Sequence, residues 1–507
     1  MNINRFVCKT KNSITKHLKK YLINKHNLFD EDYYVAQYPE ILNSKKKPLK
    51  HFILYGYYEN RSAKFNQNKK KLDYIFNIHN LSFFKIVKII FYSKLKLHRK
   101  SQINYSIPSS NKKNQIDNSV PSLNTKKQID YLKFKEKRFG IKSFKVRYAK
   151  DKPEEILLFF NGFTLSGFFG GKATVMKICI FIANKRNYNI KIIDQTPQSI
   201  DLKDLSKILN IDITTKVEIL KYNDIIEFTE KDIIICNMWN NANKVLNTPA
   251  FENNKIFYIL QEVETFFYDH GDDHLVCSKT LSDKRLNIIV NSKLLHDNLI
   301  QSGKYPNIEQ NSIYFEPAFE KKSIPTFNKK EKYNFFFYAR PSHQRNIYYF
   351  GMDVLLEAFQ RNLFDLSEWN FYIAGDNSEV FSNIGLNKFQ NLDVISWSEY
   401  EKFIATIDLA YSMIYTPHPS YPPLDTANSG GICLTNKYEN KSNLDMYSKN
   451  ILCADLEIES MINKLAEAIA LVKNTEKRKS NYIDNAILNN WDDSFEKIYN
   501  YISKIID

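Results

Sequence analysis

From residue 153 onward the sequence predicts an α/β protein, with two doubly wound parallel-sheet domains in tandem behind a small helical N-terminal module. Three observations carry that expectation. Short apolar runs alternate with segments whose apolar residues recur at helical spacing, the pattern of βαβ units. The alternation breaks at a polar, proline-bearing stretch, KKSIPTFNKKEK (321–332), and then resumes. The charge is divided as well: residues 1–150 hold 34 Lys and Arg against 9 Asp and Glu, and the remainder holds 38 against 47.

The front section, taken as 1–100, is strongly basic, and such a section seeks a polyanion. In residues 29–65, Tyr34, Tyr38, Ile41, Phe52 and Tyr55 suggest two or three short helices with one apolar side, with Pro39 and Pro48 at helix starts. In residues 81–97, Phe84, Val87, Phe91 and Leu95 fall at helical spacing beside Lys85, Lys88, Lys94 and Lys96. A basic amphipathic helix either lies in an anionic membrane surface or packs on the body with a solvated lysine face. Residues 101–128 are polar and aperiodic and read as a linker, placing the body's start near 150.

In the body, EILLFF (155–160) reads as a buried strand, 161–171 as a glycine-bearing loop, 172–186 as a helix and NIKIID (189–194) as the next strand. Further strands fall at 232–236, 255–260 and 286–290, and the first domain spans 151–325. A second series spans 326–480: strands at 334–338, 369–374, 392–396, 408–413 and 431–435, with a helix near 347–362. Residues 481–507 are expected to form a helix that packs back on the first domain. Two doubly wound domains in tandem place a ligand in the cleft between them, at the carboxyl ends of the strands.

Several classes are set aside by pattern. The six cysteines are scattered without a CxxC pair, which favours buried thiols in a reducing compartment. No run of ~18 apolar residues suggests a membrane span, and MNINRFVCKTKNSITKHLKK lacks the apolar core of a signal peptide. The expected location is cytoplasmic, with peripheral attachment to the inner membrane face through the basic section. Zinc-finger, RNP and helix-turn-helix patterns are missing, so nucleic acid is not an expected partner. His270 and His274 have i,i+4 spacing in DHGDDH, but the segment reads as a polar loop and no metal is expected.

The candidate chemistry lies in three segments. Gly170 and Gly171 open a helix after a loop, where backbone N–H groups could meet an anion; a tight strand-to-helix turn is the alternative. YARPSHQRN (338–346) follows a strand directly and presents Arg340 and Arg345, two guanidiniums able to bind a diphosphate or to serve as surface ion-pair partners. TPHPSYPPLDTANSGG (416–431) reads as a proline-stiffened loop leading into a short helix that begins at Asp425. Together they suit a nucleoside diphosphate and its ribose. For the group that defines the reacting face, Glu264 with its neighbour Glu262 and the loop residue His418 are the candidates. A carboxylate at a helix N-terminus and a packed histidine are their structural alternatives.

The residues Y-A-R-P with R-N at 338–346, A-G-D at 374–376, S-M-x-Y-x-P-H-P-S-Y-P-P-L-D at 412–425 and T-N-K-Y-E-N-K at 435–441 resemble the GT-B glycosyltransferases of family 4. They are most similar to bacterial rhamnosyltransferases of surface-glycan (S-layer or O-antigen type) assembly. Y-I-L-Q-E-V-E (258–264) and V-N-S (290–292) are looser matches in the first domain, and the 29–65 module is similar to a repeat attached to polysaccharide-synthesis enzymes. The resemblance spans about 155–475. It implies Arg340 and Arg345 on the donor diphosphate, Asp425 on the ribose, Ser420 and Tyr421 beside the diphosphate, and Gly170 and Gly171 near donor phosphate and acceptor. Pro417 stands where the family carries its first glutamate, a departure from the pattern. The implied activity is metal-independent, retaining transfer of a sugar, with dTDP-rhamnose favoured, to a growing polysaccharide or lipid-linked glycan; other glycosyltransferases are implied partners. A sugar-nucleotide epimerase of the same fold and a polyanion-binding protein are the alternatives.

Overall fold

The computed structural model describes residues 131–507 apart from short stretches, the longest being 165–169, 321–324, 376–388 and 393–396. The chain divides into two compact units, Met1–Val120 and Pro121–Asp507, and every described residue belongs to the second. The expectations for 29–65, 81–97 and 101–128, and for Asp376, lie outside the described residues.

The first domain runs β1 (Lys145–Tyr148), β2 (Glu155–Phe159), α1 (Gly170–Arg186), β3 (Asn189–Asp194), α2 (Leu202–Leu209), β4 (Val217–Lys221), β5 (Ile225–Phe228), β6 (Ile233–Cys236), α3 (Trp239–Leu246), β7 (Ile256–Leu260), α4 (Asp272–Leu281), β8 (Leu286–Asn291), α5 (Lys293–Gln301), α6 (Pro306–Gln310) and β9 (Ser312–Phe315). Seven of the strands form a parallel sheet in the order β4-β3-β2-β6-β7-β8-β9, and β1 pairs with β5 alongside it. Strands β2, β6 and β7 are buried at every position, which is why they read as unbroken apolar runs.

The second domain runs β10 (Tyr333–Tyr338), α7 (Tyr348–Gln360), β11 (Trp369–Ala374), β12 (Phe389–Asn391), α8 (Trp397–Ile404), β13 (Leu409–Ser412), α9 (Tyr421–Asn428), β14 (Ile432–Asn436), β15 (Ile451–Ala454), α10 (Ile458–Lys473) and α11 (Thr475–Ile483). Its six parallel strands are ordered β12-β11-β10-β13-β14-β15. In both sheets the chain winds outward in one direction and then in the other. The reversals fall between β2 and β6 and between β10 and β13, and a crevice opens beyond the strand ends at such a point.

The last helix, α12 (Asp492–Ile506), crosses back to the first domain. Phe495, Ile498 and Ile502 join the core formed by α1 and its sheet. Lys185 and Arg186, in the last turn of α1, bond to Glu496 at 2.6 Å and Asp507 at 2.8 Å. A separate apolar seam joins the domains: Leu294 and Phe319 of the first pack with Leu424, Leu444, Tyr447 and Ile451 of the second.

Two differences from the sequence reading have physical causes. The short strands β1, β4, β5 and β9 each carry a charged or polar residue at exposed or half-buried positions, so they leave no unbroken apolar run to read, and β15 is apolar but only four residues long. Helix α9 starts at Tyr421, four residues before the expected start at Asp425, because Pro422 and Pro423 occupy its first turn rather than a preceding loop. Proline suits that position: its fixed φ is helical, and the N–H it lacks would have no intrahelical acceptor there. Only Leu392 of the expected strand at 392–396 is described.

Candidate active site between the two domains

The turn carrying Arg340 follows β10, and the loop 413–420 follows β13, so both emerge where the second sheet reverses. Gly375 directly follows β11 with φ +145°, and a Cβ there would lie 1.5 Å from the Ala339 carbonyl oxygen. Only glycine lets the strand end pass so close to the Arg340 turn. The Arg340 guanidinium meets Nε2 of His343. Arg345 lies under different control: it forms an ion pair with Glu262, from the first domain, and its guanidinium stacks 4.4 Å from the Phe267 ring centroid.

Glu262 is buried and follows β7. Besides Arg345 it accepts from the Thr416 hydroxyl and, at 2.9 Å, from the Val263 amide, so one carboxylate ties the arginine turn to the 413–420 loop across the cleft. Glu264 is placed differently. It accepts from the Trp239 amide at 2.9 Å, at the first residue of α3, and burial pushes its carboxyl up to about 7. Of the two glutamates, the structure puts Glu262 on the arginine and Glu264 on a helix N-terminus.

The 413–420 loop is held at several points. Asn346 donates to the Met413 carbonyl at 3.0 Å, Tyr415 N–H donates to the Arg345 carbonyl at 2.7 Å, and Asn436 grips both N–H and C=O of Ile414. His418 is buried, and its Nδ1 accepts from the Ser420 amide at 2.9 Å, so the ring proton sits on Nε2. Burial holds this imidazole down at about 4, neutral through the physiological range. Ser420 has φ +67° and ψ 154°, a conformation almost confined to glycine, and strain of this kind gathers at ligand-binding turns.

Tyr421 closes the cleft at the glycine end. Its ring packs against Gly170, where a Cβ would approach to 3.0 Å. Its hydroxyl bonds Thr174 at 2.9 Å and Asn291 at 2.8 Å, both in the first domain. Gly171 sits equally close to Gln261, which donates to the Gly171 carbonyl at 2.9 Å. The His418 and Tyr421 rings are 6.1 Å apart. A continuous wall therefore runs from Gly170 and Gly171 through Gln261, Tyr421, His418 and Glu262 to Arg345. Asp425 stands off this wall, one turn along α9, bonded to the Tyr400 hydroxyl at 3.3 Å, and burial pushes its carboxyl up to about 8. The His270 and His274 rings lie tilted to each other with centroids 4.6 Å apart, with His274 Nδ1 on the Thr265 carbonyl.

Thr416, Gln261, Asn291 and Lys441 lie inside motifs that the sequence singles out, but nothing in those motifs gives any of them a role of its own. Lys441 is fully buried, and its ammonium donates to the Ile414 carbonyl at 3.2 Å. No sequence signal separates it from Lys437 in the same T-N-K-Y-E-N-K motif, which is solvent-facing and paired with Asp455.

Two parallel, doubly wound domains that face each other at their reversal points, with the last helix returned to the first, are the GT-B architecture. Residues 333–466, within the second domain, match the family described as WsaF, C-terminal domain. Over 244 residues, 47% of this chain, the sequence is 23% identical to the O-antigen biosynthesis protein RfbC of Myxococcus xanthus, and the match spans 18% of that protein's length. Among solved structures, Anabaena Alr3699/HepE in complex with UDP and glucose is 14% identical, with a TM-score of 0.49 over 70% of this chain and 99% of its own. Sucrose-phosphate synthase from Thermosynechococcus elongatus is 9% identical, with a TM-score of 0.47 over 70% and 99%. A putative UDP-N-acetylglucosamine 2-epimerase from Listeria monocytogenes is 11% identical, with a TM-score of 0.41 over 68% and 95%.

Proposed function

We propose that this chain is a glycosyltransferase that moves a sugar from a nucleoside diphosphate to a growing cell-surface polysaccharide or lipid-linked glycan. The observation that carries the reading is the convergence of Arg340, Arg345 and the strained 413–420 loop at the reversal of the second sheet, facing Glu262 and the Gly170–Gly171 helix start across the cleft. Negative charge grows on the leaving phosphate as the glycosidic bond to the donor breaks. Fixed guanidiniums and N–H dipoles stabilise that charge more in the transition state than in the ground state. Arg340 and Arg345 supply it without a metal in this reading. Glu262 holds Arg345 in the free protein and yields it when a diphosphate competes. Gly170 and Gly171 lie toward the acceptor, with Ser420, Tyr421 and His418 beside the diphosphate and Asp425 toward the ribose.

Rhamnose from dTDP-rhamnose, transferred with retention, is the favoured donor chemistry. Its support is the resemblance of the 412–425 and 435–441 motifs to rhamnosyltransferases.

A panel of nucleotide sugars, scored for transfer or hydrolysis, tests the reading. One of them is expected to be consumed, and Arg340→Ala is expected to lower that rate by ~10²–10³ while leaving the melting temperature within a few degrees. An Arg340→Ala variant that keeps most of its activity removes Arg340 from the site. Release of an isomerised nucleotide sugar, in place of transfer, makes the protein an epimerase. Tight binding of UDP without dTDP excludes the rhamnose donor.

A further inference from the structure

The two flanks of one short turn hold the 413–420 loop from behind. Asn436 takes both backbone groups of Ile414, its side-chain oxygen accepting from the amide at 2.8 Å and its Nδ2 donating to the carbonyl at 3.0 Å. Lys441 donates to the same carbonyl at 3.2 Å. Between them the chain turns back on itself: Lys441 N–H donates to the Tyr438 carbonyl at 2.8 Å, and Tyr438 N–H to the Lys441 carbonyl at 3.1 Å. The Tyr438 ring meets the Tyr415 ring edge-on at 4.7 Å. The tip of this turn is held from the other domain. Asn298 of α5 donates through Nδ2 to the Glu439 carboxylate at 2.7 Å and to the Asn440 side-chain oxygen at 3.2 Å, and Asn440 Nδ2 donates to the Leu294 carbonyl at 2.9 Å. Glu439 takes φ +45°, in the left-handed region that favours glycine, yet a glycine there would leave Asn298 without its carboxylate acceptor. The apolar seam beside this clamp is non-directional, whereas its hydrogen bonds fix where the turn sits.

We propose that the 438–441 turn is a relay by which the first domain sets the 413–420 loop: α5 holds Glu439 and Asn440, and the turn's two flanks, Asn436 and Lys441, hold Ile414. Asn298, Glu439 and Asn440 are positioning residues, acting on a bound diphosphate through Ile414 and the loop that follows it. The strained backbone at Ser420 persists only where its surroundings over-determine it, and the clamp supplies part of that determination from across the domain boundary. Loss of the clamp frees the loop to leave the binding conformation, and the apparent affinity falls in proportion to the fraction of molecules still in it. The inference rests on the nucleotide-sugar reading above and adds to it a set of residues on α5 and on the turn that α5 holds.

The test is titration calorimetry, well below the melting temperature, on the full-length protein with dTDP, UDP, GDP and ADP, for the wild type, Asn298→Ala, Glu439→Gly and Glu439→Gln. Glycine suits the backbone at position 439 and removes the acceptor, whereas glutamine keeps an oxygen for Asn298. Whichever nucleoside diphosphate binds the wild type is expected to bind Asn298→Ala and Glu439→Gly on the order of tenfold more weakly, and Glu439→Gln as tightly as the wild type. A purely structural clamp lowers the melting temperature and leaves the affinity of the folded protein unchanged; that result overturns the inference while the glycosyltransferase reading stands. An equal loss for Glu439→Gln and Glu439→Gly also overturns it, because charge and not the hydrogen-bonded relay is then what counts. A wild type that binds none of the four diphosphates overturns both readings. If Asn298→Ala fails to fold, the two Glu439 variants decide under the same criteria.

Discussion

Asp425 shows how a residue's surroundings set its chemistry. Its carboxyl is pushed up to about 8, first by burial and against the bond from Tyr400. The folded chain therefore keeps a proton that the unfolded chain releases near 4. Between those values the native state binds more protons, so this group's contribution to stability declines as pH rises from about 4 to about 8. Asp425→Asn removes that slope. The melting temperature of the variant relative to wild type is expected to climb between pH 5 and pH 8, and thermal melts at three pH values read it. A constant difference would mean that the carboxyl titrates normally. His418, depressed to about 4, has the opposite sign, losing stability as pH falls below about 6.5, but it is common to both proteins and cancels in the comparison. The residue scale is also where sequence reading reached least. Arg340 and Arg345 stood out because each follows a strand end. That Arg345 would find Glu262, 83 positions away, is set by how the two sheets face each other. Nothing local in Q-E-V-E tells the glutamate on the arginine from the one on the helix.

Among the elements, strand ends and helix starts matter more than their middles. Strands β2, β3, β6, β7, β8, β10 and β11 were legible to within a residue or so because at least half the positions of each are buried and apolar. The half-exposed strands were not, and the prolines of α9 read as a loop because proline marks helix starts and loops alike. Gly375 is the element-scale residue with the sharpest consequence. A Cβ would collide with the Ala339 carbonyl at 1.5 Å, and the backbone is in a region that alanine avoids. Gly375→Ala is expected to cost on the order of 4 kcal/mol or to displace the Arg340 turn. The control is Gly303→Ala, where φ is +62° but a Cβ meets nothing within 4 Å, and the cost is about 1–2 kcal/mol. Urea denaturation of the two variants compares them directly. Equal midpoints would mean that the strand end can move aside.

For the whole molecule, charge is the property that the described body leaves unexplained. Residues 1–150 carry 34 basic and 9 acidic side chains. No helix among the described residues is long and apolar enough to cross a membrane. Each Lys or Arg near an anionic leaflet contributes about 1 kcal/mol of attraction, screened as salt rises. We therefore expect the full chain to float with anionic vesicles at low salt, to be released at about 1 M salt, and to stay unbound once residues 1–130, which end before the buried Phe144 and β1, are removed. If both forms stay at the bottom of the gradient, a protein partner, such as another glycosyltransferase, becomes the better account of the basic section.

The return of α12 to the first domain means that the chain passes between the domains twice. The two passages touch: the Phe319 amide donates to the Leu488 carbonyl at 2.7 Å, and Ala318 bridges Leu488. A second crossing that touches the first works as a double strap: the ends of both passages are held to each other, so neither domain can leave the other without breaking that contact as well as the apolar seam of Leu294 and Phe319 against Leu424, Leu444, Tyr447 and Ile451.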